Sequence, residues 1–316
     1  MSSHSYISNN KNEDIFININ GKLFHRNEAK ISVFDSGFLL GDGVWEGIRL
    51  HKSKLVFIED HLNRLYESAK GISLNIPYSN EYIIKEINKV LSKNKMDDNI
   101  HIRLVISRGD KITPYQNPNA NLGPVNLVII PEYKEAEPNT YIKGVSIGRV
   151  PNIRPNESIL SPHFNTLSKL NCILASIEAN KLGYDEGIMN DLNGNISTCN
   201  STNLFFIKNE TVLTSTGEYC LNGITRGKAI LVCDLGGTSV VVAHAFDTKF
   251  GQSYLTNNGN APMGFSMCGA MGAWMADPSR QTVAIIGDGG MILNIQELQT
   301  LINYKINIKT FVLNNH

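Results

Sequence analysis

The sequence predicts an α+β protein over its first two thirds, followed by an α/β segment with parallel strands. Three observations carry this. Short runs of β-branched and aromatic residues with period-two alternation are interspersed with longer runs whose apolar residues recur at helical spacing. The two kinds mix without strict alternation, which points to α+β layering rather than a doubly wound sheet. Near the C-terminus, Thr282–Ile286, Asn294–Ile302 and Ile308–Leu313 form a strand–helix–strand succession, and such a crossover joins parallel strands.

The chain has 316 residues, enough for two or three domains with their own cores. Residues 1–14 are polar and Asn/Ser-rich, have no apolar stretch to mark a secretory signal, and are expected to be a disordered tail. A first α+β domain is expected over 15–133. Its strands are Ile15–Ile19 and Lys30–Phe34, bounded by Asn-Gly and Asp-Ser-Gly turns, with Ile100–Ser107 and Val125–Ile130 further on. Its helices are Glu59–Ile72, with Leu62, Leu65, Tyr66 and Ala69 on one face, and Tyr82–Ser92. A linker-like stretch, Glu132–Asn139, leads to a second, mostly β domain over 140–230. This begins with the strand Gly144–Val150 and contains the helix Ser168–Leu182, stopped by Gly183. Gly187–Asp191, Ser201–Ile207 and Thr211–Leu213 follow as strands. The character changes after about Ile230, and a third segment is expected over 236–316, with a strand at Val240–Ala243, a Gly/Asn loop at Asn257–Ala261 and small residues over Met267–Trp274.

Lys+Arg and Asp+Glu both number 29, so charge gives no reason to expect nucleic acid or an anionic membrane as partner. No apolar run approaches the roughly 18 residues of a membrane span. The five cysteines, Cys172, Cys199, Cys220, Cys233 and Cys268, are odd in number and lack CxxC spacing, as expected of reduced thiols in a cytoplasmic protein.

Five motifs, in order, carry chemistry. They are the seventeen-residue string from Val33 to Arg49 (VFDSGFLLGDGVWEGIR), the helix Phe57–Leu65 (FIEDHLNRL), the helix Leu167–Ala179 (LSKLNCILASIEA), the stretch Asp191–Phe206 (DLNGNISTCNSTNLFF), and Leu221–Arg226 (LNGITR). Together they resemble the class IV aminotransferases of the branched-chain and D-amino-acid type, over about residues 14–230. The resemblance implies the two-domain α+β fold of fold type IV pyridoxal-phosphate enzymes, pyridoxal 5'-phosphate as cofactor, an amino acid and a 2-oxo acid as substrates, and a homodimer.

Residue by residue, the resemblance implies that Arg64 grips the cofactor phosphate, for which a guanidinium fork is suited. His61, beside it, is expected at the helix surface or in a capping role. Gly223, Ile224 and Thr225 would bind the phosphate at a helix N-terminus, where orphan N–H groups favour an anion. Ser201, Thr202 and Asn203 would position cofactor or hold a turn. Phe38 and Trp45 are candidates to hold an apolar substrate side chain, and Arg103 and Arg108 to hold its carboxylate. Two positions depart from the pattern. The common spacing back from Glu178-Ala179 puts the Schiff-base lysine at 165, which is Asn165, while Lys169 lies four residues later, close to one helical turn, so that the two positions share a face. Two readings stand: Lys169 forms the Schiff base, or the chain cannot form one. Thr198 takes the place of the glutamate that faces the pyridine nitrogen; its hydroxyl supplies a hydrogen bond but no charge.

The end of the chain resembles the C-terminal domain of acetolactate-synthase-type thiamine-diphosphate enzymes. The carriers are Gly269–Gly272, Ala284–Gly290 (AIIGDGG), Gln296–Thr300 and Leu313-Asn-Asn315, with Asp288 and Asn315 27 positions apart. The resemblance implies that Asp288 and Asn315 hold Mg2+ with hard oxygen ligands and that Gly287 and Gly289 approach the diphosphate of thiamine diphosphate. This α/β domain is expected to be partial and the aminotransferase part to lack its C-terminal portion, as in a fusion. The leading expectation for function is amino-group transfer from apolar, branched-chain-like amino acids. A thiamine-diphosphate-dependent carboligase or decarboxylase fragment needing another chain, and a non-catalytic or chimeric paralogue, are the alternatives.

Overall fold

The computed structural model describes residues 9–135, 138–208, 211–228, 230–233, 253–256 and 263–313. The chain divides into two compact units, Met1–Thr202 with Thr216–Leu221, and Asn203–Ser215 with Asn222–His316.

The first unit opens with the hairpin β1 (Phe16–Ile19) and β2 (Lys22–His25). Its two-residue turn is the predicted Asn-Gly, with φ 52° at Asn20 and 82° at Gly21, the left-handed pair that matches strand twist. After a short helix α1 (Ser36–Leu40) come β3 (Gly43–His51), β4 (Lys54–Leu55), α2 (Ile58–Gly71), α3 (Asn80–Asn94), β5 (Ile100–Ser107) and β6 (Asn126–Tyr133). The strands form one six-stranded sheet in the order β2-β1-β6-β5-β3-β4, antiparallel at every pairing. Period-two alternation sorts the faces. Ile100, Ile102, Leu104 and Ile106 of β5 are fully buried, whereas Arg103 stands exposed on the other face. Leu62, Leu65 and Ala69 of α2 and Ile83, Ile87 and Val90 of α3 complete the core on the buried face, and Ser79 caps α3 by accepting the Tyr82 N–H.

The strand expected at Lys30–Phe34 does not form. Turn chemistry outweighs its alternation: the Ser32 hydroxyl accepts the Phe34 N–H, the Ser32 carbonyl accepts the Asp35 N–H, and Asp35 then caps α1.

Further along the same unit lie α4 (Pro138–Lys143), β7 (Ile147–Ile153), α5 (Leu170–Lys181), β8 (Glu186–Asn190) and β9 (Ile196–Cys199). β7 runs parallel to β8 and β9 antiparallel to it. Ala175 and Ala179 let α5 lie close on Val150, Met189 and Tyr184. β9 is an addition to the predicted strands; four residues with one large aliphatic give little periodic signal. The predicted helix starts two residues late, at Leu170, with Lys169 in the N-cap position at φ −104° and ψ 9°.

In the second unit β10 (Phe205–Lys208) and β11 (Thr211–Thr214) make an antiparallel hairpin, and α6 (Ile224–Lys228) follows. β12 (Ile230–Cys233), β13 (Ser253–Leu255), β14 (Thr282–Gly287) and β15 (Ile308–Leu313) form a parallel sheet in the order β13-β12-β14-β15, with α7 (Phe265–Ala276) packed through Ala270 on Ala284. The predicted βαβ unit is present as β14–β15. Its connection is two short helices, α8 (Asp288–Leu293) and α9 (Glu297–Asn303), rather than one from Asn294, because the Asn294 side chain donates to the Gly264 carbonyl at 3.0 Å instead of starting a helix. The expected strand Val240–Ala243, the loop Asn257–Ala261 and the metal candidate Asn315 lie outside the described residues. Among the described residues no helix is long and apolar enough to cross a membrane.

Candidate active site

The site of the first unit grows from the start of β3. A Cβ at Gly43 would meet the Ile106 carbonyl at 2.5 Å, so only glycine lets β3 approach β5 there. The opposite edge of β3 pairs with the chain just before α5. Trp45 N–H donates to the Asn165 carbonyl at 3.0 Å, Leu167 N–H to the Gly43 carbonyl at 2.9 Å, and the Trp45 indole N–H to the Thr166 carbonyl at 3.1 Å. Asn165 is buried in this seam and its amide donates to the Trp45 carbonyl at 2.7 Å. Asn165 and Lys169 therefore do not share a helical face, as their spacing suggested: residue 165 is extended against a strand, and the helix begins only after residue 169.

Lys169, at the end of the seam, is half-buried. Its amine lies 5.5 Å from the centroid of the Trp45 ring, and the Arg103 guanidinium 3.8 Å from the same centroid. Burial brings the Lys169 ammonium down to about 8; the charges of Arg154, Arg64 and Arg103 act in the same direction and Cys172 opposes them. Arg154 is held in place, donating to the Tyr219 carbonyl at 3.2 Å, to Cys172 Sγ at 3.0 Å and to Asn171 Oδ1 at 3.5 Å. A buried amine whose pKa is brought toward neutrality can act as both nucleophile and base.

Behind the seam, on the buried face of the sheet, Glu46 accepts two hydrogen bonds from Arg64, Nε at 2.8 Å and Nη2 at 2.7 Å, and one from His61 Nδ1 at 2.7 Å. Burial pushes the Glu46 carboxyl up, but the hydrogen bonds and charges of Arg64 and His61 outweigh it and hold the group below its ordinary value. His61 is thus not the surface or capping residue expected from the sequence; its side chain is 12% exposed and serves a buried carboxylate. Glu46 is absent from the residues that the motifs single out. The available signal is a glutamate at an inward position of a strand whose other inward residues are Val44, Ile48 and Leu50, since a buried carboxylate requires partners.

The remaining candidates are placed as follows. Arg108 is committed to Asp42, Nε at 2.7 Å and Nη2 at 2.9 Å, and to the carbonyls of Ser73 and Ile72. Phe38 is 71% exposed on α1. Thr198 is buried and its hydroxyl donates to the Thr202 carbonyl at 2.8 Å. Ser201 and Thr202 donate to the buried Glu186 at 2.7 and 3.0 Å, which holds the turn after β9. In the second unit Gly223 lies directly against the Asn203 side chain, Ile224 and Thr225 open α6, and Arg226 is buried with a hydrogen bond to the Ser215 carbonyl. Gly287 occupies the N-cap position of α8, followed by Asp288 and Gly289.

The family model "Amino-transferase class IV" matches residues 43–245, which include the β3 seam, Arg64 and Lys169. The chain belongs to the class IV aminotransferase family. A second model, "Thiamine pyrophosphate enzyme, C-terminal TPP binding domain", matches residues 234–316, so both resemblances stand on one polypeptide. Among curated relatives, the branched-chain-amino-acid aminotransferase-like protein 2 of Arabidopsis thaliana is 40% identical over 212 residues, covering 66% of this chain and 37% of its own length. A putative branched-chain-amino-acid aminotransferase of Methanocaldococcus jannaschii is 34% identical over 227 residues, covering 71% of this chain and 77% of its own. The chain thus spans little more than a third of the Arabidopsis protein. Among solved structures, a branched-chain amino acid aminotransferase complexed with N-(5'-phosphopyridoxyl)-L-glutamate, from the organism abbreviated T.th., matches with a TM-score of 0.61 at 25% identity, covering 67% of this chain and 70% of that one.

The residues present fit pyridoxal phosphate at the atom that matters most, since Lys169 Nζ is an amine of about 8 beside an aromatic ring and three arginines. Thr198, which the resemblance sets against the pyridine nitrogen, has its hydroxyl spent on the Thr202 carbonyl. For Mg2+, Asp288 is the one proposed ligand within the described residues, and no group of three His, Cys, Asp or Glu there suits a metal ion.

Proposed function

We propose that the first unit carries pyridoxal-phosphate-dependent amino-group transfer between an apolar, branched-chain-like amino acid and a 2-oxo acid. The observation that carries it is the Lys169 amine, lowered to about 8 and set against Trp45 and the arginines. When bound, pyridoxal phosphate supplies an aldehyde for covalent attachment and a ring that accepts electron density. Lys169 Nζ would hold that aldehyde and, as a free amine, would take up and return a proton at the substrate Cα. Arg103 receives the substrate carboxylate, because Arg108 is already engaged by Asp42. Arg64, held by Glu46, contributes positive charge for the phosphate. Thr198, standing where the family carries a glutamate, would supply no charge to the cofactor ring, which would slow turnover.

The branched-chain aminotransferase relatives support the branched-chain substrate, and the phosphopyridoxyl-glutamate complex of the solved aminotransferase supports the cofactor and a glutamate/2-oxoglutarate pair. The exposed apolar residues Val33, Phe34, Phe38, Ile112, Tyr115 and Leu122, on segments joined by the Lys111–Phe34 and Leu122–Asp110 backbone hydrogen bonds, support a homodimer. The thiols of Cys172, Cys199, Cys220 and Cys268 suit a reducing, cytoplasmic compartment. The C-terminal segment is proposed to bind thiamine diphosphate around Gly287–Gly289, with Asp288 and Asn315 as Mg2+ ligands. No catalytic step is assigned to it.

The test is transfer from leucine to 2-oxoglutarate in the presence of pyridoxal phosphate. Activity that falls at least about 1,000-fold in Lys169→Ala, as expected for loss of a covalent nucleophile, supports the reading. A second reading, a non-catalytic paralogue, is favoured by Asn165 and Thr198. An inert wild type that gains activity in Asn165→Lys establishes it instead.

A further inference from the structure

The motif that holds Trp45 suggests an aromatic wall for substrate, but the contacts of the residue assign it other work. Three hydrogen bonds tie this one residue to the two residues that begin the approach to Lys169. Its N–H donates to the Asn165 carbonyl (3.0 Å), its indole N–H donates to the Thr166 carbonyl (3.1 Å), and its own carbonyl accepts from the Asn165 amide (2.7 Å). The next residues continue the seam, with Leu167 N–H on the Gly43 carbonyl at 2.9 Å and the Ser168 hydroxyl on the Gly41 carbonyl at 3.3 Å. The backbone of Lys169 is thus placed by β3 rather than by α5, whose first turn lacks a side-chain cap. At the far end of the lysine side chain, the amine comes to 5.5 Å from the Trp45 ring centroid, within the roughly 6 Å reach of a cation–π contact.

We propose that Trp45 is the positioning residue for the Lys169 amine: the indole fixes the chain from which the lysine departs and offers its π face to the ammonium where the lysine ends. The assignment rests on the amino-transfer reading for its consequence, though not for its geometry. Three cations, Arg154, Arg64 and Arg103, and the Cys172 thiol are the charged and titratable groups that act on the amine. The arginines repel the ammonium, and the ring is the attractive surface that keeps its side chain from swinging to solvent. Arg103 shares the same ring at 3.8 Å, so the indole also sets the spacing between the amine and the guanidinium proposed for the substrate carboxylate.

Trp45→Leu is the obvious variant, but it removes the Thr166 hydrogen bond with the ring. Biosynthetic replacement by tryptophan of increasing ring fluorination separates the two, because the N–H and the shape stay while the π face weakens. The chain has two tryptophans, so the series is made in Trp274→Phe. In the full chain without cofactor, the pH dependence of Lys169 acetylation, followed by peptide mass spectrometry, gives the midpoint of the amine. Loss of a favourable contact with the ammonium lowers that midpoint, by about half a pH unit at the most fluorinated ring. A midpoint that stays fixed or rises along the series overturns the assignment. A midpoint that falls in a protein that transfers no amino group leaves Trp45 in its positioning role and removes the amino-transfer reading instead.

Discussion

Burial is the main influence on the Lys169 amine, with nearby arginines acting in the same direction. Burial and the three arginines bring its folded value to about 8 from an ordinary 10.5. The free amine is the reactive form, so the rate of covalent attachment of pyridoxal phosphate rises with pH and levels off above about 8. The same depression has a sign for stability. Between about 8 and 10.5 the unfolded chain binds the proton that the folded chain releases, so this residue's contribution to stability improves as pH rises through that window. A pH series of attachment rates checks the first statement; a rate that does not change across the range around the folded value contradicts it. Replacing Arg154 by Gln removes one repelling charge and shifts the plateau to higher pH.

At the scale of elements, Glu46 joins β3 to α2. Its carboxylate is fully buried and accepts from Arg64 and His61, both on α2. Breaking a buried pair by removing one partner costs about 3–5 kcal/mol, so Glu46→Ala lowers the urea midpoint strongly. The folded value of Glu46 is depressed, hence its contribution is present above the ordinary 4.5 and is lost as pH falls below it. Acid sensitivity of the wild type below that value should therefore be weaker in Glu46→Gln, and parallel pH profiles for the two proteins would reject the coupling.

Elements with strong periodicity are legible in the sequence. α2, α3 and β5 lie within a few residues of expectation, because each buries a regular stripe, and the strands β14 and β15 fall where their β-branched runs put them. Where local polar chemistry competes, the pattern misleads. Ser32 and Asp35 make a turn and cap of an alternating run, and Asn294 delays a helix. The start of α5 is expected too early because the sequence has no sign that residues 165–167 pair with β3. Of the candidate site, Lys169, Trp45 and Arg64 are named by motifs and Arg103 by its strand; Lys169 and Arg103 meet at the Trp45 ring, and Arg64 lies with Glu46. Glu46 escapes that reading because a motif taken whole does not tell which of its residues face inward.

For the whole molecule, two family models on one chain make assembly the open physical question. The exposed patch around Phe38 and Ile112 is the surface expected to close a homodimer. Light scattering is expected to give twice the 35.0 kDa chain mass, and Phe38→Asp with Ile112→Asp to give the monomer. A monomeric wild type contradicts the dimer.

Borohydride reduction of the protein with pyridoxal phosphate, followed by peptide mapping, identifies which amine of this chain reacts with the vitamin B6 aldehyde. A phosphopyridoxyl group is expected on the peptide carrying Lys169 at near-stoichiometric yield, and is absent from Lys169→Ala. A label spread over surface lysines, or none on that peptide, contradicts it.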